Sequence, residues 1–488
     1  MECSVDLVAS SLAYAQAQSL PESTYRLQFH AGFSFRDAIR IIPYLRELGV
    51  THVYASPFLK ARVGSTHGYD IVDHRSLSPE ICSREDLNDF VAALRKHDLR
   101  LIIDIVPNHM GVATNDNLWW NDVLENGPSS PFAGYFDIAW NDTPRPELKQ
   151  KVLLPVLGDP YGHVLENGQI KLQYDGGQFS VWYWERRFPV APRSYAQILS
   201  HRIEQLGQEL GQDSLDFAEY QSILVAIGHL PDRTETDPTR VAERNREKEV
   251  IKRRLGDLAA RNARIREFID ENVLAFKGKQ GDPRSFDLLD DLLSHQCYRL
   301  SFWRVALEEI NYRRFFDIND LAAICVERTD VFSAVHELVF RLIAEGMVDG
   351  LRIDHPDGLY DPQQYFLRLQ REYLLILSKR AFESGSKETS ESKWAEIDGK
   401  IREQIEAVLA EKTQSPARWP LFVVAEKILA ASETVPSDWA IHGTCGYEFI
   451  RALTGLFIDA DAEPDFTRLY RNLNPDYVAF FKLVYRSK

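Results

Sequence analysis

Three segments of this chain are apolar along their length and then close on an ionisable side chain. They are LRLIIDIVPNH at 99–109, VDGLRIDH at 348–355 and LFVVAEK at 421–427. An unbroken apolar run suits a strand covered on both faces, as in a parallel sheet flanked by helices. Amphipathic helical segments lie between such runs. Residues 24–29 (TYRLQF) read as a strand, 35–48 as a helix ended by Gly49, and VTHVYASP as a strand. A helix at 84–96 precedes the LRLIIDIVP strand. The alternation predicts an α/β fold with a parallel sheet.

The alternation stops after this third strand for about 240 residues, far longer than an ordinary connection. Residues 111–195, rich in Trp, Tyr, Pro, Gly and Asn, read as an irregular aromatic part, with core packing for most of Trp119, Trp120, Trp182, Tyr183 and Trp184. Residues 238–276 are highly charged and helical, and the run reads as a solvated helix face. The pattern then resumes with a helix at 331–346, the strand MVDGLRID, a helix at 362–382 and the strand LFVVAEKIL. The polar stretch 383–400 reads as an exposed loop or helix start. Three parts follow: 1–110 as the first part of a barrel, 111–330 as an insertion, and 331–488 as the second part of the barrel.

Composition excludes some classes. The 57 basic and 72 acidic residues leave a net charge of −15, which disfavours nucleic acid and anionic membranes as partners. Cys3, Cys82, Cys297, Cys325 and Cys445 are scattered and form no CxxC pair, which disfavours a disulfide framework or a zinc knuckle. His30, His74, His229, His295 and His336 show no ligand spacing, so no metal and no cofactor is expected. The opening residues lack a basic segment before an apolar one, and no apolar run reaches membrane-spanning length. The cytoplasm is the expected compartment.

The strand ends carry the chemistry. Side chains at the carboxyl ends of parallel strands converge on one mouth, and a lone buried carboxylate is costly unless paired or used. Asp354 and Glu426 are such residues, and paired carboxylates suit glycoside chemistry: one attacks the anomeric carbon, the other protonates the leaving oxygen. Arg352, two residues before Asp354, shares its face and is expected to keep Asp354 ionised, with Asp104 holding Arg352 in turn. Glu426 sits in VVAEKIL, an apolar context of the kind that favours an acid's protonated form, and Lys427 points the other way. His109 and His355 follow the same strands. HGYD at 67–70 adds His67, Tyr69 and Asp70, which fit ring stacking and hydroxyl binding.

In this order, HGYD, DIVPNH, GLRID and AEK, the motifs resemble the conserved regions of the α-amylase superfamily. The longer strings STYRLQF, GSTHGYDIVDH, DIVPNHMGV, ENGPSSPFAGYFDI, LPVLGDPYG, RRFFDINDLA, VDGLRIDHPDGLYDP, VVAEKIL and HGTCGYEF resemble the maltooligosyl trehalose synthases from residue 23 to residue 449. The resemblance implies a (β/α)8 TIM-type barrel with a long insertion after the third strand. It implies a retaining conversion of the reducing-end α-1,4 bond of a maltooligosaccharide, or linear α-1,4-glucan, into an α,α-1,1 bond. Asp354 would be nucleophile and Glu426 acid/base, assisted by Arg352. His67, Tyr69, Asp70, Asp104, His109 and His355 would contact substrate. A maltooligosyl trehalose trehalohydrolase is the implied pathway partner. An α-glucan hydrolase, a glucanotransferase, or an inactive glucan-binding remnant are the alternatives. The chain departs from the family at Ala139, Cys445 and Glu448. Six strands are countable, near 25, 51, 100, 349, 421 and 441, and the superfamily's third carboxylate has no counterpart before Lys488. The expectation is an incomplete, C-terminally truncated barrel that is not active alone.

Overall fold

A computed structural model describes the chain except residues 1, 144, 386–390, 414–417, 431, 475–476 and 488. Five strands form one parallel sheet among the described residues: β1 (Thr24–Leu27), β2 (His52–Ala55), β3 (Arg100–Ile105), β4 (Gly350–Ile353) and β5 (Phe422–Ala425), ordered as they occur in the chain. Every adjacent pair is parallel. The sixth expected strand, near 441, is reduced to one parallel bridge between Ala425 and Thr444. HGTCG carries two glycines and few strand formers, and Gly446 opens the helix Tyr447–Gly455.

Register divides the sheet into two chemically different faces. Arg26 lies beside Tyr54, and Asp104 lies beside Arg352, which in turn lies beside Val424. Alternation puts Arg26, Tyr54, Asp104, Arg352 and Val424 on one face, and the same parity extends to Asp354 and Glu426. The opposite face presents Val53, Ala55, Leu101, Ile103, Leu351, Ile353, Val423 and Ala425, all buried. Flanking helices cover it. Arg84–Lys96 buries Leu87, Phe90, Val91 and Leu94, and a reciprocal Ser83–Asp86 capping box fixes its start. Thr329–Ala344 and Pro362–Gly385 follow the resumed pattern.

Several expected elements differ in detail. The helix expected over 35–48 is two, Phe35–Ile39 and Ile42–Glu47. Pro43 has no N–H for the Ile39 carbonyl, so one continuous helix would lose a bond there. The polar stretch 383–400 ends one helix and opens another, Glu391–Thr413; its residues 386–390 lie outside the described part. The part expected to be irregular is largely regular. Ile170–Asp175, Gln178–Tyr183 and Arg186–Pro189 form an antiparallel sheet, and Val152–Leu157 pairs with Tyr298–Phe302. Gly176 and Gly177 both take positive φ (54° and 87°), the requirement of a tight two-residue hairpin turn. A side chain at Gly177 would overlap the Lys252 carbonyl, so this hairpin tip lies directly on a helix.

That helix corrects the reading of the charge run. Residues 238–276 form Pro238–Arg261 and Ala263–Ala275, separated at Asn262, which caps the second. Arg244, Lys248 and Lys252, four residues apart, are buried rather than solvated. Lys248 meets Asp122 at 2.7 Å and Glu125 at 3.0 Å, and Lys252 meets Glu125 at 2.6 Å. The partners come from the helix Leu118–Asn126, whose Trp119 and Trp120 are also buried. Trp182 is partly buried and Trp184 is exposed. Glu125→Ala would remove the buried carboxylate that both ammonium groups share, leaving Lys248 with Asp122 and Lys252 with Glu249. It is expected to destabilise the fold by roughly 1–3 kcal/mol in urea titration; a loss below about 0.5 kcal/mol, within the range of a surface pair, would contradict this account.

Candidate active site

The site lies where β3, β4 and β5 end. The sheet ladder continues one residue past each strand: Asp354 N–H donates to the Ile105 carbonyl at 2.8 Å, and Glu426 N–H to that of Ile353 at 2.9 Å. Both carboxylates therefore stand on fixed backbone. Arg352 gathers them. Its Nη1 donates to Asp354 Oδ1 at 2.7 Å and to Asp104 Oδ1 at 2.8 Å, and its Nη2 lies 3.5 Å from Glu426 Oε1. Tyr54 and Tyr69 hydroxyls donate to the other Asp104 oxygen at 2.6 and 2.7 Å.

A cavity of about 780 Å³ opens over this cluster. Arg352, Asp354, Glu426, His67, Tyr69, Asp70 and His109 all line it. Two expected substrate contacts do not. Asp104 has no exposed side-chain surface; Arg352, Tyr54 and Tyr69 close over it. His355 sits at φ 44°, its ring packed on Phe315 and Phe316, and its backbone N–H donates to Glu426 Oε2 at 3.0 Å. It positions Glu426 from outside the cavity. Lys427 points away, as expected, and is paired with Asp357 and Glu433.

The HGYD loop is set by its glycine. Gly68 has φ 81°, and a side chain there would overlap the Pro57 carbonyl oxygen. This tight passage brings Tyr69 to Asp104. Asp70 is held by Ser65 at 2.5 Å and Arg62 at 3.1 Å, while His67 is half exposed with its ring stacked near Tyr69. Burial pushes the His109 imidazole down to about 3, so it is neutral near pH 7. The residue lines the cavity, while its Nε2 is itself buried.

Arg352 pulls Asp354 toward its ionised form, but one guanidinium faces three carboxylates. Burial pushes Asp354 up to about 7 against the pull of Arg352, with Asp104 and Glu426 adding to the rise. Glu426 is not enclosed by apolar groups: a quarter of its side chain is exposed, beside Arg352 and the His355 N–H.

Other wall residues gave no sequence signal of their own. Arg26 lies over the Tyr54 ring and donates to Tyr69. Phe315, Ile318 and Asp320 come from RRFFDINDLA, and Cys445, Tyr447 and Ile450 from HGTCGYEFI. Only register, which pairs Arg26 with Tyr54 and the short strand Leu321–Ala323 with His109–Gly111, reveals their convergence. Of the departures from the family pattern, Ala139 donates its N–H to the Asn311 carbonyl and accepts from the Asn311 side-chain amide, and Glu448 accepts from Thr444.

Residues 36–159 match the catalytic domain of alpha-amylase. The chain is 30% identical over 462 residues to a Mycobacterium tuberculosis protein described as a maltooligosyl trehalose synthase, covering 93% of this chain and 41% of that protein. The maltooligosyltrehalose synthase structure from Arthrobacter ramosus superposes with a TM-score of 0.60 at 29% identity, covering 95% of this chain and 42% of that one. A Sulfolobus tokodaii structure described under the same enzyme name gives 0.55 at 25%, covering 93% and 42%. The fold is thus that of the TIM-type barrel of the alpha-amylase catalytic domain, of which the described residues supply five parallel strands, and this chain spans about two fifths of the length of these relatives.

The raised Asp354 carboxyl has a measurable consequence. Between its ordinary value of 3.8 and about 7, the folded chain holds a proton that the unfolded chain does not. Stability from this group is therefore present at low pH and lost as pH rises through 7. Asp354→Asn should match the parent near pH 4 and exceed it at pH 8 by more than about 1 kcal/mol in thermal melts. A stability gap independent of pH would contradict the shift.

Proposed function

We propose that this relative of the maltooligosyl trehalose synthases rearranges the reducing end of an α-1,4-glucan, converting the last α-1,4 bond of a maltooligosaccharide into an α,α-1,1 bond. The observation that carries the reading is the shared guanidinium: Asp354 and Glu426, from neighbouring strands, stand beside Arg352 in the same cavity wall. Two carboxyl groups at one glycosidic bond are what a retaining double displacement needs.

In this scheme Asp354 Oδ attacks the anomeric carbon as Glu426 gives its proton to the leaving oxygen. The released glucose turns, and Glu426 takes a proton from its anomeric hydroxyl. That oxygen then attacks the glycosyl carbon and frees Asp354. Arg352 releases negative charge from Asp354 as the covalent bond forms and receives it back when the bond breaks. His109 and Tyr69 contact the sugar bound at the nucleophile, and His67 and Asp70 line the edge. Asp104 acts through Arg352, and His355 through its N–H. Rearrangement rather than hydrolysis requires that water be kept from the glycosyl intermediate; the apolar wall of Phe315, Ile318 and Leu321 suits that task.

The product, a non-reducing maltooligosyl trehalose, is the substrate that a maltooligosyl trehalose trehalohydrolase would consume. We assign the protein to the cytoplasm because its cysteines follow no disulfide pattern; among the described residues no helix is long and apolar enough to cross a membrane. The divisions 1–110, 111–330 and 331–488 serve as the proposed parts.

Incubation of the full-length enzyme with maltopentaose should lower the reducing-end signal while the product keeps the substrate's mass. Asp354→Asn should reduce turnover by several orders of magnitude with the fold intact by circular dichroism. A rise in reducing ends would favour the hydrolase reading. New shorter and longer glucans would favour the glucanotransferase, and binding without turnover the glucan-binding remnant.

A further inference from the structure

A second cavity, of about 420 Å³, lies in the insertion. Its lining differs sharply from the rest of this acidic chain. Arg193, Arg233 and Arg244 face it, against one carboxylate, Asp232. Arg193 already pairs with that carboxylate at 2.9 Å. Arg233 spends its Nη1 on the carbonyls of His295 and Gln296.

Arg244 is the informative residue. It is 1% exposed, and no carboxylate among the described residues pairs with it. Its Nη1 donates to the Pro231 carbonyl, and its Nε has no partner. Glu125, a buried acid that acts on Arg244, is already engaged by Lys248 and Lys252. A buried guanidinium without a counter-ion is among the costlier arrangements in a folded chain. Burial accordingly pulls it below the usual guanidinium range.

A second unmet group lines the same cavity. Gln197 donates its amide N–H to Asp291 and its Oε1 is buried without a partner. One vacancy calls for an anion and the other for a donor such as a hydroxyl. Guanidinium groups match phosphoryl oxygens in geometry as well as charge.

We infer that this cavity binds a phosphorylated sugar, its phosphoryl group held by Arg244, Arg193 and Arg233 and a sugar hydroxyl by Gln197. The site is separate from the carboxylate cavity and independent of the reaction proposed there.

Calorimetric titration and thermal melts with glucose 6-phosphate, inorganic phosphate, glucose and sodium sulfate at matched ionic strength test it. Glucose 6-phosphate should bind and raise the melting temperature, more tightly than phosphate by about tenfold. Glucose should not bind measurably, and sulfate should bind no more tightly than phosphate. Arg193→Gln, at an exposed position, should weaken glucose 6-phosphate by at least about tenfold. Arg244→Met should abolish binding without lowering the melting temperature of the free protein, because an unpaired buried charge is removed. Asp354→Asn, in the other cavity, should leave the affinity unchanged. The inference is overturned if glucose 6-phosphate fails to bind, if sulfate or phosphate binds equally well, or if Arg193→Gln binds as the parent does.

Discussion

Arg352 is the group on which the site depends. Among the described residues it is the one cation in direct contact with Asp104, Asp354 and Glu426, and all three carboxylates reach it because of strand register. Asp104 sits directly across from it, while Asp354 and Glu426 occupy the first position beyond their strands. The remaining contacts follow from this charge. Asp104 accepts from Arg352 through one oxygen, and its other oxygen draws in Tyr54 and Tyr69. Tyr69 can reach it because Gly68 lets the chain pass close to Pro57. The left-handed turn at His355 sends a backbone N–H to Glu426. Each polar atom so placed is fixed by a neighbour that is itself fixed, which is how a site keeps geometry without substrate.

Much of this was legible in the order of residues. Apolar runs that end in an ionisable group mark buried strands with exposed carboxyl ends, and alternation assigns Arg352, Asp354 and Asp104 to one face. The cysteine and histidine pattern offered no competing chemistry. Tyr54 was not legible, because a tyrosine in VTHVYASP is a normal strand residue; its contact to Asp104 spans fifty positions. Arg26 was hidden for the same reason. That Asp104 braces Arg352 was legible, but that neither Asp104 nor His355 lines the cavity was not, since residue type signals polarity, not whether a side chain faces the cavity or braces another.

The insertion shows a different limit. IKLQYD alternates buried and exposed positions and leads through a Gly-Gly turn into the strand-forming QFSVWY, so the hairpin was there to be read beneath the aromatic composition. The buried lysines were not. Charges four apart mark one helix face, and only the partner decides whether that face meets water. Here Glu125 lies more than a hundred residues away, so the decision is tertiary.

The insertion is also joined to the site by backbone. Ala323 pairs with His109, and Leu321 with Gly111, so the short strand from RRFFDINDLA extends the chain that leaves β3. This pairing carries Phe315, Ile318 and Leu321 to the wall of the cavity that also holds the carboxylates. A pyranose has hydroxyl edges and apolar faces, and a cavity with acids and an imidazole on some walls and aromatic or aliphatic carbon on another matches both. For the proposed rearrangement the apolar wall has a second consequence. Burial has already raised Asp354 against its own guanidinium, so further exclusion of water strengthens the bonds from Arg352 more than any solvent-exposed contact. For Asp354 the charge balance and the burial are therefore one property: the enclosure that raises its carboxyl is the one that, in the proposed rearrangement, would deny water the glycosyl group.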